Sequence, residues 1–375
     1  MKIAVVGGGP AGLYFAYLWK RKHPSAEIAL FEQNAADATF GFGVVFSDRA
    51  LDFLRADDPE TVDAIAPHME RWRDMTLVHR GERVTIDGVG FSAIGRLELL
   101  KLLQQRAASV GIRPDYERRI EGDGQLKAFD LVVAADGVNS ALRSSQPAFR
   151  TSSDLFRNKF IWFGTTKPFA TLTQTFIECE FGALNAHHYR YAPDKSTFII
   201  ECDRQTFERA NFGTLPADES KTRCERLFAD TLEGNKLISN KSSWRDFPWI
   251  WNERWAHGNV VLVGDALHTA HFSIGSGTRL ALEDSIALVK SLEAEPDIGR
   301  ALALYESERK PVVEKIVNAS KTSATWYENF AEHMKLAPLD FAMSYITRSG
   351  RVDLERLRAV SPRFVSAYER RAKTG

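Results

Sequence analysis

The chain has 375 residues, 44% hydrophobic and 26% charged, with 49 basic and 49 acidic side chains. This length allows two domains with sizeable cores, and the balanced charge excludes the broad basic surface that general nucleic-acid binding needs. Cys179, Cys202 and Cys224 lack metal-ligand spacing, so free or buried thiols of a reducing compartment are expected. The opening MKIAVVGGG runs straight into a core strand with Lys2 as its only charge, and no uncharged apolar run reaches the length of a membrane span. No membrane partner and a cytoplasmic address are expected.

Lys2–Val6 reads as a short apolar strand, and Gly7, Gly9 and Gly12 then fit G-x-G-x-x-G, with Pro10 and Ala11 inside it. Gly7 permits the tight turn, Gly9 lets backbone approach a pyrophosphate, and Gly12 lets the following helix pack on the strand. The helix stops before Pro24, and its N-terminus favours phosphate. A second strand at 28–31 ends at Glu32, where a carboxylate can accept hydrogen bonds from a ribose diol. Gln33 and Gly43 are assigned to the same dinucleotide site.

Residues 70–93 read as a hairpin, and 96–108 as an amphipathic helix opened by Arg96 and stopped near Gly111. The strand at 130–134 precedes D-G-x-x-S-x-x-R, present as Asp136, Gly137, Ser140 and Arg143. Ser140 and Arg143 are as well suited to holding this segment as to touching a ligand. Runs at 159–166, 171–181, 185–192 and 196–203 read as an antiparallel meander with turns at Gly182 and Pro193-Asp194. The strand at 259–263 ends at Gly264-Asp265, with His268 following. Gly275-Ser276-Gly277 and Thr278 then open a helix through Leu292. From about Asp297 the chain is helix-rich. Arg348, Arg351, Arg356, Arg358, Arg363, Arg370 and Arg371 make the tail basic, either a solvated face or a contact for CoA phosphates.

The ordered set GGGPAG, DGVNSALR and GDALH resembles the FAD-dependent aromatic-ring hydroxylases of the para-hydroxybenzoate hydroxylase superfamily. The segments GFGVVFSD at 41–48, RNKFIWFGT at 157–165 and HFSIGSGTRLALEDSIAL are similar to a narrower branch. That branch holds salicylyl-CoA 5-hydroxylases, the monooxygenase part of 2-aminobenzoyl-CoA monooxygenase/reductase, and the tryptophan-derivative hydroxylase of violacein biosynthesis. The superfamily's proline four residues after the histidine is replaced here by Phe272, so its role passes to backbone around residues 271–273.

The resemblance implies an α/β (mixed α+β) fold: a Rossmann-like FAD-binding domain (1–69, 94–156 and 251–296), an inserted antiparallel-sheet substrate domain (70–93 and 157–250) and a C-terminal helical region (297–375). It implies tightly bound FAD, transient NADH or NADPH without a second Rossmann domain, and O2 as co-substrate. Arg96 and Asp136 then meet the FAD phosphates, Asp265 the ribityl chain, and the helix opened by Gly275, Gly277 and Thr278 the flavin pyrimidine ring, where a positive helix end favours the reduced anion.

The expected partner is a small electron-rich aromatic, free or CoA-linked; salicylyl-CoA giving a gentisyl product leads, with 2-aminobenzoyl-CoA, 4-hydroxybenzoyl-CoA and a tryptophan- or indole-derived intermediate as alternatives. In HHYRY, alternation puts His187, Tyr189 and Tyr191 on one strand face and His188 with Arg190 on the other. His188 and Tyr189 are the expected substrate contacts and His271 a second candidate; His268 is expected to order its loop. Phe42, Val44 and Phe46 suit a pocket wall or the core. Trp249-Ile250-Trp251 resembles the W-x-W of flavin halogenases but lacks the Ile-Pro that should follow. A non-catalytic flavin-binding protein is the reading from another class. No HExxH or comparable cluster supports a metal site. The oligomeric state stays open.

Overall fold

The computed structural model describes residues 1–47 and 51–372; Asp48, the last residue of the 41–48 segment, lies outside them. Among the described residues, three sheets carry the chain. The first has the order β15–β16–β8–β1–β2, from β1 (Lys2–Val6), β2 (Glu27–Phe31), β8 (Leu131–Ala134), β15 (Ala256–His257) and β16 (Val260–Leu262). β1 runs parallel to β2 and β8, and β16 parallel to β8. The runs IAVV, LVVA and VVL do not alternate because both faces of these strands are buried. Helices Pro10–Lys22 and Gly277–Ala294 pack in this core and touch where Ser285 Oγ donates to the Ala11 carbonyl at 2.9 Å.

The second sheet has eight strands. Its path is β13 (Leu237–Ile238), β9 (Thr151–Thr165), β12 (Lys195–Cys202), β11 (Gly182–Ala192), β10 (Leu172–Cys179), β5 (Met75–His79) and β6 (Glu82–Ile86), and β14 (Arg245–Asn252) pairs with β9. This order corrects the simple meander. β9 lies beyond β12 rather than beside β10, and the free edge of β10 receives β5 in parallel. The β9–β10 link contains Pro168, which has no N–H for a ladder, and it crosses the sheet end, where the Phe169 N–H donates to Ser196 Oγ. β9 also starts earlier than expected and pairs with β14, which places Trp249-Ile250-Trp251 in a strand ladder.

The third sheet joins β3 (Gly43–Ser47), β7 (Phe91–Gly95) and β4 (Glu70–Trp72), all antiparallel. One face of the eight-stranded sheet is sealed by a core around Phe163, Phe198 and Phe228. Over the β10–β11 end, the other face meets the C-terminal helices through Trp326, Tyr327, Phe341 and Tyr345. Helix Ile298–Tyr327 spans both regions, with Ala301–Val317 in the first core and Trp326–Tyr327 in the second. No described helix is long and apolar enough to cross a membrane.

Candidate active site

The nucleotide cleft opens at the C-terminal ends of β1 and β2. Gly7 adopts φ +111°, and a Cβ there would stand 2.1 Å from the Ala135 carbonyl oxygen; a Cβ on Gly12 would stand 2.0 Å from the Gly7 oxygen. Nothing lies within 4 Å of the corresponding point on Gly9, so that backbone is open. Gly9 caps helix Pro10–Lys22 without a side-chain acceptor, which leaves the first N–H groups of the helix without a cap at the end where Gly9 and Pro10 line the cleft. Glu32 faces the same space. Its carboxylate accepts from the Gly8 N–H at 2.7 Å and from the Asn34 backbone N–H and side-chain amide. Gln33, Arg96, Arg118, Arg119 and Asp136 line the remaining wall.

The second and third motifs lock to each other. Asp136 accepts from the N–H groups of Ala141 and Leu142, while its other oxygen is buried without a partner beside the cleft. Burial raises its pKa against the pull of Ser140 and these N–H groups. Ser140 caps the next turn, and Arg143 donates to the carbonyls of Val138 and Ala266. Arg143 thus ties DGVNSALR to GDALH. A Cβ on Gly264, at φ +60°, would stand 3.2 Å from the Ala11 Cβ and 3.4 Å from the Ala281 Cβ.

Asp265, directly after Gly264, has an exposed side chain. Crowding by the cleft walls raises its pKa, opposed by Arg96 and His268. Arg96 is lowered by the same crowding, with Asp265 pulling the other way, and its guanidinium lies 5.8 Å from the Trp162 ring centre. Gly275, at φ +59°, fits against Val45. Helix Gly277–Ala294, with Thr278 in its first turn, begins without a side-chain cap.

Two buried residues that local patterning does not single out hold this corner. Asp284 accepts from His268 Nε2 at 2.9 Å, from the Gly264 N–H at 3.1 Å and from Arg309 Nε at 3.0 Å. Arg309 also pairs with Glu283 at 2.7 Å. His268 therefore orders its loop. Asp284 sits sixteen residues on, and Arg309 on a later helix, so no local signal in the sequence points to them.

Beyond the cleft, alternation along β11 decides which rings meet the site. His188 is corrected as a substrate contact. It points into the sealed core, where Nε2 bonds Thr175 Oγ1 at 2.9 Å and the ring stacks on Phe198 at 11°. Tyr189 faces the other way and donates to the Gly43 carbonyl at 2.9 Å, while the Gly43 N–H donates to Thr197 Oγ1. His187 shares that face, lies edge-on to Tyr189 and is 6.4 Å from Phe272. Both its ring nitrogens are buried without partners, and burial, then Arg348, pushes its pKa down to about 3. His271 is likewise lowered to about 3 by burial, then Arg348 and His187. It sits among Phe156, Phe247 and Phe272 and accepts from the Ser273 N–H. His187, Tyr189 and His271 thus belong to one region, with neutral imidazoles and aromatic walls. Phe42 packs on Gly164, and Phe46 is core.

Much of the basic tail is neutralised: Arg358 pairs with Glu369, Arg363 with Asp74 and Asp87, and Arg371 with Asp340. Arg348 instead donates to the carbonyls of Ser273 and Tyr345 and lies 3.9 Å from the Tyr345 ring centre.

An FAD fits these residues. The open Gly9 backbone and uncapped helix start suit a pyrophosphate, Glu32 a ribose, Asp136 has a spare buried oxygen at the cleft, and Asp265 is close enough to the cleft-lining Arg96 for their charges to interact.

Comparison with known proteins agrees. A family model described as an FAD binding domain matches residues 1–320. The chain is 41% identical over 361 residues to a salicyloyl-CoA 5-hydroxylase of Streptomyces sp, covering 93% of this chain and 70% of that one. It is 38% identical over 328 residues to a 3-hydroxy-4-methyl-anthranilyl-[aryl-carrier protein] 5-monooxygenase of Streptosporangium sibiricum, covering 87% and 89%. To a protodeoxyviolaceinate monooxygenase of Chromobacterium violaceum it is 33% identical, covering 93% and 94%. The tetrameric form of 2-methyl-3-hydroxypyridine-5-carboxylic acid oxygenase superposes with a TM-score of 0.69 at 16% identity, over 96% of this chain and 95% of that one, which shows the shared fold. The chain belongs to this FAD-binding family and is an FAD-dependent aromatic monooxygenase that draws electrons from NAD(P)H and oxygen from O2.

Proposed function

We propose that this enzyme hydroxylates an aromatic ring presented as a thioester, with salicylyl-CoA converted to the 5-hydroxy (gentisyl) thioester. The carrying observation is the 41% identity over 93% of the chain to a salicyloyl-CoA 5-hydroxylase. A relative named for an aryl-carrier-bound anthranilyl group, also attacked at position 5, supports it. In both names position 5 is para to the ortho hydroxyl or amine, the carbon that such a donor makes nucleophilic. The balance is ring C–H plus O2, NAD(P)H and a proton, giving ring C–OH, NAD(P)+ and water.

FAD, when bound, takes electrons from NAD(P)H and activates O2 for transfer of one atom to the ring. The protein orients the ring and excludes water. Residues 7–12, Glu32, Gln33, Asp136 and Arg96 hold the dinucleotide in this reading. Asp265 holds the ribityl chain, and the uncapped start at Gly277 and Thr278 places positive helix potential at the flavin ring. Tyr189 fixes Gly43, and so the strand that borders the ring.

His187 takes the substrate-contact role expected of His188. A neutral buried imidazole can accept the phenol proton's hydrogen bond at one nitrogen and donate at the other. His271 and Phe272 form the opposite wall. Arg351, whose pKa is lowered by burial and by the nearby charges of Arg279 and Arg356, belongs to a positive cluster suited to the phosphates of a CoA or carrier-protein arm.

The test is oxygen uptake with NADH or NADPH across salicylyl-CoA, 2-aminobenzoyl-CoA, 4-hydroxybenzoyl-CoA, free salicylate and tryptophan, with products identified by mass. Ligand-stimulated turnover of salicylyl-CoA with gain of one oxygen is expected. Turnover confined to free acids or indoles refutes the thioester reading.

A further inference from the structure

The turn that leads into helix Gly277–Ala294 has little of its own to fix it. Its sequence, HFSIG at 271–275, holds no proline and closes a single 3-10 turn, Phe272–Ile274, with Gly275 in the left-handed region at φ +59°. Inside the turn, the Ser273 N–H donates to His271 Nδ1 at 3.3 Å, the Ile274 N–H to the His271 carbonyl at 3.4 Å and the Gly275 N–H to the Phe272 carbonyl at 3.0 Å. The first two are long for hydrogen bonds, so local bonding alone fixes the turn loosely.

The C-terminal helices supply the rest. On helix Ile298–Tyr327, Ser320 Oγ accepts from the His271 N–H at 3.3 Å, and Ser323 Oγ bonds Ser273 Oγ at 2.8 Å. Arg348 is the C-cap of helix Pro338–Thr347, and it reaches back 75 residues along the chain. One terminal nitrogen donates to the Ser273 carbonyl at 2.6 Å and the other to the Tyr345 carbonyl at 2.8 Å. The guanidinium lies 3.9 Å from the Tyr345 ring centre and 5.6 Å from that of Tyr327. A planar fork on two carbonyls, stacked on a ring, is held in one orientation. Its bond to Ser273 is charge-assisted and shorter than the turn's internal ones. The same charge reaches the aromatic region, where it adds to burial in lowering His187 and His271.

The turn sets the helix behind it. The Gly275 N–H bond to Phe272, Ser276 Oγ on the Ile274 carbonyl at 3.2 Å and the Leu280 N–H on the Ser276 carbonyl at 2.9 Å connect the held segment to the first helical turn. That helix start has no side-chain cap, so it presents free N–H groups and positive potential.

We propose that Arg348 is a positioning residue for the flavin reaction: from the C-terminal helices it locks the turn at 271–275, and so sets where the positive start of helix Gly277–Ala294 stands against the flavin ring. This goes beyond the thioester reading and rests only on the reading that sets the flavin ring at this helix start.

The test uses the full-length, FAD-loaded enzyme with Arg348→Met and Arg348→Lys. Methionine removes both fork and charge. Lysine keeps the charge but cannot grip two carbonyls as a planar fork. Hydrogen–deuterium exchange read by mass spectrometry on peptides covering 271–275 should speed up about tenfold in the Met variant, the worth of one charge-assisted hydrogen bond, and by less in the Lys variant. Peptides covering β1 and β8 should keep the parental rate, which separates a loosened turn from global unfolding. The FAD midpoint potential, measured against a reference dye, should fall in the Met variant by the equivalent of reduced FAD held about threefold less tightly relative to oxidised FAD. It should fall in the Lys variant too, and since lysine keeps the charge, that fall reports the turn and not a lost cation. The Lys variant stays readable if the Met variant misfolds.

A parental exchange rate at 271–275 in the variants overturns the lock. A potential that falls with methionine and stays parental with lysine overturns the positioning role in favour of charge alone. Faster exchange with a parental potential in both variants leaves the lock standing and removes the flavin ring from the helix start. Salicylyl-CoA turnover by the parent decides the thioester reading separately.

Discussion

The Asp284→Asn substitution tests whether the third motif is held from behind by a buried charge. Asp284 receives three donors: His268 Nε2, the Gly264 N–H and Arg309 Nε. Asparagine keeps a single acceptor oxygen and turns an NH2 toward donors, so at least one of the three is left unpaired. Removing one partner of a buried ion pair costs about 3–5 kcal/mol. Arg309 retains Glu283 at 2.7 Å, so the low end, about 3 kcal/mol, is expected here. For a protein of this size, whose unfolding entropy is about 0.8 kcal/mol/K, that is a fall in Tm of roughly 4 °C.

The pH dependence has a definite sign. Burial alone would raise the Asp284 pKa, but His268 and Arg309 overcome it and hold it below the ordinary carboxylate value. A depressed folded-state pKa contributes stability that is fully present above the unfolded value of about 3.9 and lost as pH falls through the folded one. The gap between parent and variant should therefore stay level from about pH 5 to 8 and close only in acid. Thermal unfolding by circular dichroism measures the gap, and flavin fluorescence on release reports the loop. A Tm within about 2 °C of the parent, with unchanged FAD retention, would refute the reasoning.

Other substitutions probe the remaining parts. Asp265→Ala should weaken FAD retention about tenfold through loss of a charge-assisted hydrogen bond; equilibrium dialysis showing unchanged affinity contradicts the placement of this motif at the cofactor. Gly7→Ala forces a Cβ to 2.1 Å from the Ala135 oxygen at φ +111°, so no yellow folded protein should be recovered, and a normal flavin spectrum would count against the turn geometry. Glu201→Gln should act on stability. With the folded pKa raised by burial to about 8, the native state holds this proton more tightly than the unfolded chain, so parental stability falls as pH rises from about 4.3 to 8. The variant should be the more stable at pH 8 and differ little at pH 5, as read by urea unfolding; the opposite trend would mean that Glu201 is ionised in the fold.

The nucleotide cleft is legible in the chain because its requirements are local. A tight turn needs Gly7, close helix packing needs Gly12, and an uncapped helix start attracts phosphate whatever surrounds it. The two-residue period of β11 is equally local, and by itself it puts His187 and Tyr189 on one face and His188 on the other. Which face looks to the site depends on where Phe198 and Phe228 build the sealed core, and that is settled by long-range packing. So His188, expected as a contact, is a core residue, and His187 is the ring proposed in its place. The crossing of β9 beyond β12, Asp284 behind Gly264, and Tyr327 and Arg348 arriving from the C-terminal helices all join residues far apart in sequence. Periodicity reports which side of an element is buried, never which distant element buries it. The identity of the cofactor is therefore written in short motifs, whereas the chamber beside it comes into being only when the sheets and the C-terminal helices close on one another.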